Sequence, residues 1–215
     1  MSLTVWGRLS SINVQKVMWA IAEIGLPHRH VPAGGDHGGL DEPAFRALNP
    51  HGKVPVIEDD GVVVWESGAI LRHLARAHAA AGLWPDDPAR QAQIDAWMDW
   101  SQTTLQPALI GFFWGWYRTP PAQRDEGRNA ALLAAAEAAL RALDAQLSDK
   151  AYLAGDALTL ADIPSGTLLY RYYEMRIARP ALPNVEAWYA RLGQRGGYRE
   201  QVMRPFGELE GRLAF

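Results

Sequence analysis

The chain has 215 residues, enough for one or two domains with a sizeable core, and its 48% hydrophobic and 21% charged content is that of a globular protein. A formal net charge of −3 without any basic run argues against nucleic acid or an anionic membrane as partner. The chain has no cysteine, which removes disulfides, thiolate metal sites and a cysteine nucleophile together, so any thiol chemistry must use a thiol brought by a ligand.

Leu3 to Trp6 reads as a short strand ended by Gly7. After Arg8-Leu9-Ser10-Ser11-Ile12-Asn13, the residues Val14, Val17, Met18 and Ile21 recur at helical spacing, and Gly25 with Pro27 beyond it closes that helix. Ser10, Ser11 and Asn13 therefore lie at a strand-to-helix turn, where plain N-capping is the simplest role. The first residues carry no apolar signal core. The longest uncharged run, Ser101 to Tyr117, is too short and too polar to span a bilayer, so a cytoplasmic protein is expected.

His28 to Val31 suits a second strand. His28 and His30 share a face there, but no third ligand stands near them and no metal site is expected. The segment from Ala33 to Gly39 has four glycines in seven residues and turns tightly, without the lysine pattern or spacing of a phosphate loop. Asp41 to Leu48 is a short helix, with His51 and Lys53 in the loop after it. Val54 to Ile57 and Val62 to Trp65 are two β-branched runs around Asp60-Gly61, the signature of a β-hairpin. Pro55 lies inside the first run, where only the start of an edge strand tolerates proline, with a cis bond as one solution. Glu66 and Ser67 then open a helix whose exposed N–H groups and hydroxyl suit a carboxylate, while Glu66 suits an ammonium.

Beyond Ala80 a Gly/Pro linker leads into helical periodicity alone. A long pattern from Ala89 to about Tyr117 is interrupted by Pro107, which should kink it, and ends in Phe112, Phe113, Trp114, Trp116 and Tyr117. An alanine-rich helix follows over Asn129 to Leu147. Thr159 and Asp162 then form a Thr-x-x-Asp capping box, with Leu158 and Ile163 as its staple.

Val54-Pro55 followed by Glu66-Ser67-Gly68-Ala69-Ile70 resembles the glutathione-binding half of the glutathione transferase family, and the likeness runs from residue 3 to about 204. It implies a thioredoxin-like α/β domain over residues 1–80, a linker at 81–88 and an all-helical domain over 89–215. It further implies glutathione as co-substrate, attack of its thiolate on a small hydrophobic electrophile, and a homodimer. The segment from Ser10 to Val17 resembles the first helix of serine- and asparagine-type bacterial transferases, in which a hydroxyl hydrogen-bonds the glutathione sulfur. Ser11 comes first for that role, Asn13 second and Ser10 third. Val54 and Pro55 would pair with the cysteinyl part, Glu66 and Ser67 would hold the γ-glutamyl end, and Lys53 with His51 would meet the glycyl carboxylate. Phe113, Trp114 and Tyr117 would line the electrophile pocket. A glutathione-dependent disulfide or peroxide reductase, or a non-catalytic binding protein of the same fold, are the rival readings.

Overall fold

A computed structural model describes residues 2–213. β1 (Leu3–Trp6) is followed by α1 (Ile12–Ile24) and β2 (Arg29–Val31), and β1 pairs parallel with β2. After α2 (Pro43–Leu48), β3 (Val56–Asp59) and β4 (Val62–Trp65) form the hairpin, and β3 runs antiparallel to both β1 and β4. The sheet order is β2-β1-β3-β4, covered by α1 and α3 (Ser67–Ala77). Asp60 and Gly61 take φ values of 46° and 87°, the doubly positive conformation of a two-residue hairpin turn.

The hairpin corrects one expectation. β3 is a central strand, and it tolerates Pro55 because the ladder begins only at Val56, which faces Trp6 on one side and Trp65 on the other. The Val54–Pro55 bond is cis, and the backbone of Val54 lies beyond the ladder's end.

α1 closes as its sequence suggests. Gly25 adopts a left-handed conformation and its N–H returns to the Ile21 carbonyl, which also accepts the Leu26 N–H at 3.1 Å. One face of α1 (Val14, Val17, Met18, Ile21) packs on the sheet, while Trp19 and Ala20 belong to the larger core of the helical half. Buried from both sides, α1 carries even Gln15 and Lys16 into the interior.

The linker is packed rather than loose: Leu83 and Trp84 are buried, and the Leu83 carbonyl accepts the Leu160 N–H at 3.0 Å. The long helix runs as α4 (Pro88–Trp100), a π-helical turn (Ser101–Leu105), α5 (Gln106–Phe112) and a second π-helical turn (Phe113–Arg118). Pro107 stands just after the first wide turn. Proline has no N–H to donate to the turn before it, and a widened turn accommodates that loss. α6 (Glu126–Gln146), α7 (Asp162–Glu174), α8 (Pro183–Gly193) and α9 (Gly196–Gln201) complete the helical half. At the start of α7, Asp162 accepts the Thr159 N–H at 2.9 Å, the return bond of the capping box. The Thr159 hydroxyl takes the Ala161 N–H instead of one three residues on, and Asp162 also ties down the Leu153 N–H at 2.9 Å. Among the described residues no helix is long and apolar enough to cross a membrane.

Candidate active site

Ser11 is the N-cap of α1, with its carbonyl accepting the Gln15 N–H at 2.9 Å and its own N–H held by the Arg8 carbonyl at 3.0 Å. Its hydroxyl makes no capping hydrogen bond, so the simple capping role does not occupy it. The turn before it is braced from two sides. The buried Gln15 side chain donates to the Leu9 carbonyl at 2.9 Å, and the Arg171 guanidinium donates to the Ser10 carbonyl.

Two cavities meet at this helix start. The larger, about 660 Å³, is walled by Ser11, Asn13, Lys53, Val54 and the glycine-rich loop from Gly34 to Gly39. A side chain at Gly34 would press within 2.9 Å of Leu40 and 3.0 Å of Arg8, so glycine lets that loop lie close to the turn. The smaller cavity, about 150 Å³, holds Ser10, Ser11, Asn13, Gln106, Trp114, Arg118 and Arg171. Ser11 and Asn13 border both.

Beneath Asn13 lies Lys16, fully buried. Its ammonium donates to Asn13 Oδ1 at 3.1 Å, Gln102 Oε1 at 3.4 Å and Gln106 Oε1 at 2.5 Å, three acceptors for three N–H groups. Because an ammonium only donates, the Asn13 amide is held oxygen-inward, leaving its NH₂ for the cavities. Burial brings the Lys16 ammonium down to about 7, against the pull of Glu66.

Asn49, buried and outside the site residues that sequence reasoning selects, shapes the loop before the cis bond. Its side chain donates to the Lys53 carbonyl at 2.9 Å and accepts the His51 N–H at 3.0 Å. His51 itself packs edge-on against Trp65, 5.1 Å between ring centres, and is not a wall of either cavity. Glu66 caps α3 with φ 68°, an uncommon conformation for a residue with a side chain, and is exposed. Ser67 does not face outward as its position suggests. It is buried where the helical half closes over the start of α3, with Gln102 so near Gly68 that an added methyl would sit 3.0 Å from its side-chain nitrogen. Neither Glu66 nor Ser67 walls the two cavities.

Of the three aromatic residues, Trp114 lines the smaller cavity. Phe113 is corrected to core: fully buried, it stacks on Tyr117 at 5.2 Å and lies under the Arg171 guanidinium at 4.7 Å. Tyr117 faces a separate cavity with Trp116, Tyr170 and Phe206. Three arginines, Arg8, Arg118 and Arg171, also stand on the wall near Ser11. Burial brings Arg118 down to about 10 and Arg171 to about 9, their neighbouring guanidinium groups adding to the effect, and both remain cations at neutral pH. His28 and His30 each contact a different backbone carbonyl, of Leu26 and Gly7, and among the described residues no group of three or more His, Asp or Glu side chains is placed to hold a metal ion.

A four-stranded mixed sheet with a cis-proline loop, joined to a helical bundle along α1, defines the glutathione transferase fold, and the chain belongs to the glutathione S-transferase family. The family's N-terminal domain matches residues 1–76 and its C-terminal domain residues 105–195. The chain is 37% identical over 205 residues to glutathione S-transferase GstB of Escherichia coli K12, covering 94% of this chain and 99% of that protein. It is 32% identical over 200 residues to glutathione S-transferase 4 of Zea mays, covering 90% and 89%. Among solved structures, the theta class glutathione S-transferase of Xanthomonas axonopodis pv. citri with glutathione bound superposes with a TM-score of 0.90 at 45% identity, covering 94% and 98%.

Proposed function

We propose that the protein is a glutathione transferase in which the Ser11 hydroxyl stabilises the glutathione thiolate for attack on a small, largely apolar electrophile. The observation that carries this reading is the position of Ser11 and Asn13 on the walls of both cavities: a thiol held there has a peptide on one side and an electrophile on the other. A free thiol has a pKa of about 8.5, and lowering it by about two units takes roughly 2.7 kcal/mol of preference for the anion. One hydrogen bond to a charged acceptor supplies about 1.5–3 kcal/mol, and the positive end of α1 about 0.3–1 more. The Asn13 NH₂ is a second donor. No general base is required.

The glutathione backbone pairs with Val54 at the open end of β3, its glycyl end runs toward Lys53 and His51, and its γ-glutamyl end reaches Glu66 and Ser67 at the start of α3. Work as a homodimer in the cytoplasm is part of the same proposal, and light scattering tests the assembly.

Calorimetry tests the site. Glutathione should bind the wild-type protein with a Kd in the micromolar-to-millimolar range, and the Glu66→Ala/Ser67→Ala variant should lose that binding. Absence of binding to the wild type would leave the fold and remove the function.

A further inference from the structure

The electrophile side of the site carries charge that its expected apolar character does not call for. Arg171, on α7, is only 7% exposed and borders the cavity that begins at Ser11. Its Nη2 donates to the Ser10 carbonyl, and its Cζ lies 4.7 Å from the centre of the Phe113 ring and 5.8 Å from that of Phe206. No other hydrogen bond and no ion pair of this guanidinium forms among the described residues. Its remaining donors are not fully enclosed by the protein, and the side chain lines the cavity. Glu208 acts on it only from beyond ion-pair distance. Arg8 and Arg118 stand on the same wall, each engaged by neighbours of its own, and add positive potential; among the described residues no acidic side chain lines this cavity. A buried guanidinium with open donors is a costly arrangement unless an anion completes it.

We propose that Arg171 holds a carboxylate of the electrophile, so that the enzyme takes small electrophilic carboxylic acids, such as 2-haloalkanoates, in preference to their neutral counterparts. This rests on the glutathione transferase reading and names its substrate class. The cavity of about 150 Å³ suits an acid of a few carbons, with Ile110, Trp114 and Leu209 against its alkyl part. The carboxylate would otherwise repel an incoming thiolate, strongly so in a site of low dielectric. Arg171 offsets that repulsion and fixes the carbon beside the carboxylate toward Ser11, where the sulfur lies. The thiolate attacks the carbon bearing the halide; the C–S bond forms as the C–halogen bond breaks, halide leaves with the bonding pair, and the thiol proton has already passed to solvent.

The test compares 2-chloropropanoate with 2-chloropropanamide, reading chloride release with glutathione at saturation and dividing each kcat/KM by the uncatalysed rate. Wild type should favour the acid at least tenfold, and Arg171→Met should lower that acid-to-amide ratio at least tenfold, even where both rates fall because the Ser10 carbonyl has lost a donor. A wild-type ratio near one, or a ratio that Arg171→Met leaves in place, overturns the proposal. Should the variant not fold, inhibition of wild-type amide turnover decides: propanoate should compete and propanamide should not, and equal behaviour of the two overturns the assignment. Amide turnover without acid preference would leave the transferase reading standing. Turnover of neither compound would overturn the proposal as well, and the transferase reading would then rest on glutathione binding by calorimetry.

Discussion

The Lys16 ammonium donates to the Gln106 side-chain oxygen at 2.5 Å, joining α1 of the sheet-bearing half to α5 of the helical half. No carboxylate takes part; the acceptors are three neutral amides. A lysine brought down to about 7 in the folded protein returns to about 10.4 when the chain unfolds. Between those values the unfolded chain binds a proton that the folded one does not, so stability rises with pH across that window and the cost of burying the charge is greatest below it. Urea unfolding should therefore gain about 1–3 kcal/mol between pH 7 and 9 from this residue, and Lys16→Met should lack that gain. Parallel pH profiles for the two proteins would show that Lys16 keeps its charge.

Ser11→Ala should raise the pKa of bound glutathione thiol by about one to two units, the equivalent of one charge-assisted hydrogen bond. Activity at pH 7 should fall about 10- to 100-fold and be partly recovered near pH 9, where the thiol ionises unaided. Thiolate absorbance titrated on the binary complex measures the shift directly. A shift found in Asn13→Ala and not in Ser11→Ala would transfer the role to the amide.

Asn49→Ala should act on affinity rather than chemistry. The variant frees the Lys53 carbonyl and the His51 N–H, loosening the loop that presents Lys53 and Val54 to the larger cavity. KM for glutathione should rise severalfold while kcat at saturating glutathione holds. Steady-state kinetics separate the two, and a fall in kcat alone would contradict the assignment.

Asp162→Ala leaves the buried Leu153 and Thr159 N–H groups without their acceptor. Each orphaned donor costs about 1–3 kcal/mol, so a loss of roughly 2–5 kcal/mol in denaturant unfolding is expected. The glutathione affinity of whatever protein remains folded should be unchanged, because this aspartate lies at the start of α7, away from the site.

Features written in neighbouring residues were legible in the sequence. Asp60-Gly61 set the hairpin turn, Gly25 the end of α1, Thr159 with Asp162 the start of α7, and Val54-Pro55 the cis bond. Features that depend on residues far apart were not. Lys16 sits in an apolar helical pattern where a lysine ordinarily reaches solvent, and only the helical half, 86 and 90 residues on, closes over it. Arg171 meets Ser10 across 161 residues. Phe113 continues the helical series Leu105 and Leu109, all three wholly buried, and its place on a pocket wall was implied by the family resemblance alone.

The first π-helical turn acts as a phase setting. The Gln106 N–H reaches back five residues to the Ser101 carbonyl rather than four, so every later position of the helix is advanced by one. Deleting one residue between Ser101 and Leu105 would let the bulge close to ordinary pitch and leave α5 in phase with α4, whereas straightening the helix with that residue kept would rotate α5 by roughly 100°. Gln106 would then turn away from Lys16, and Trp114 from the smaller cavity. The wide turn lets one surplus residue be carried while the two halves of the enzyme stay keyed to each other.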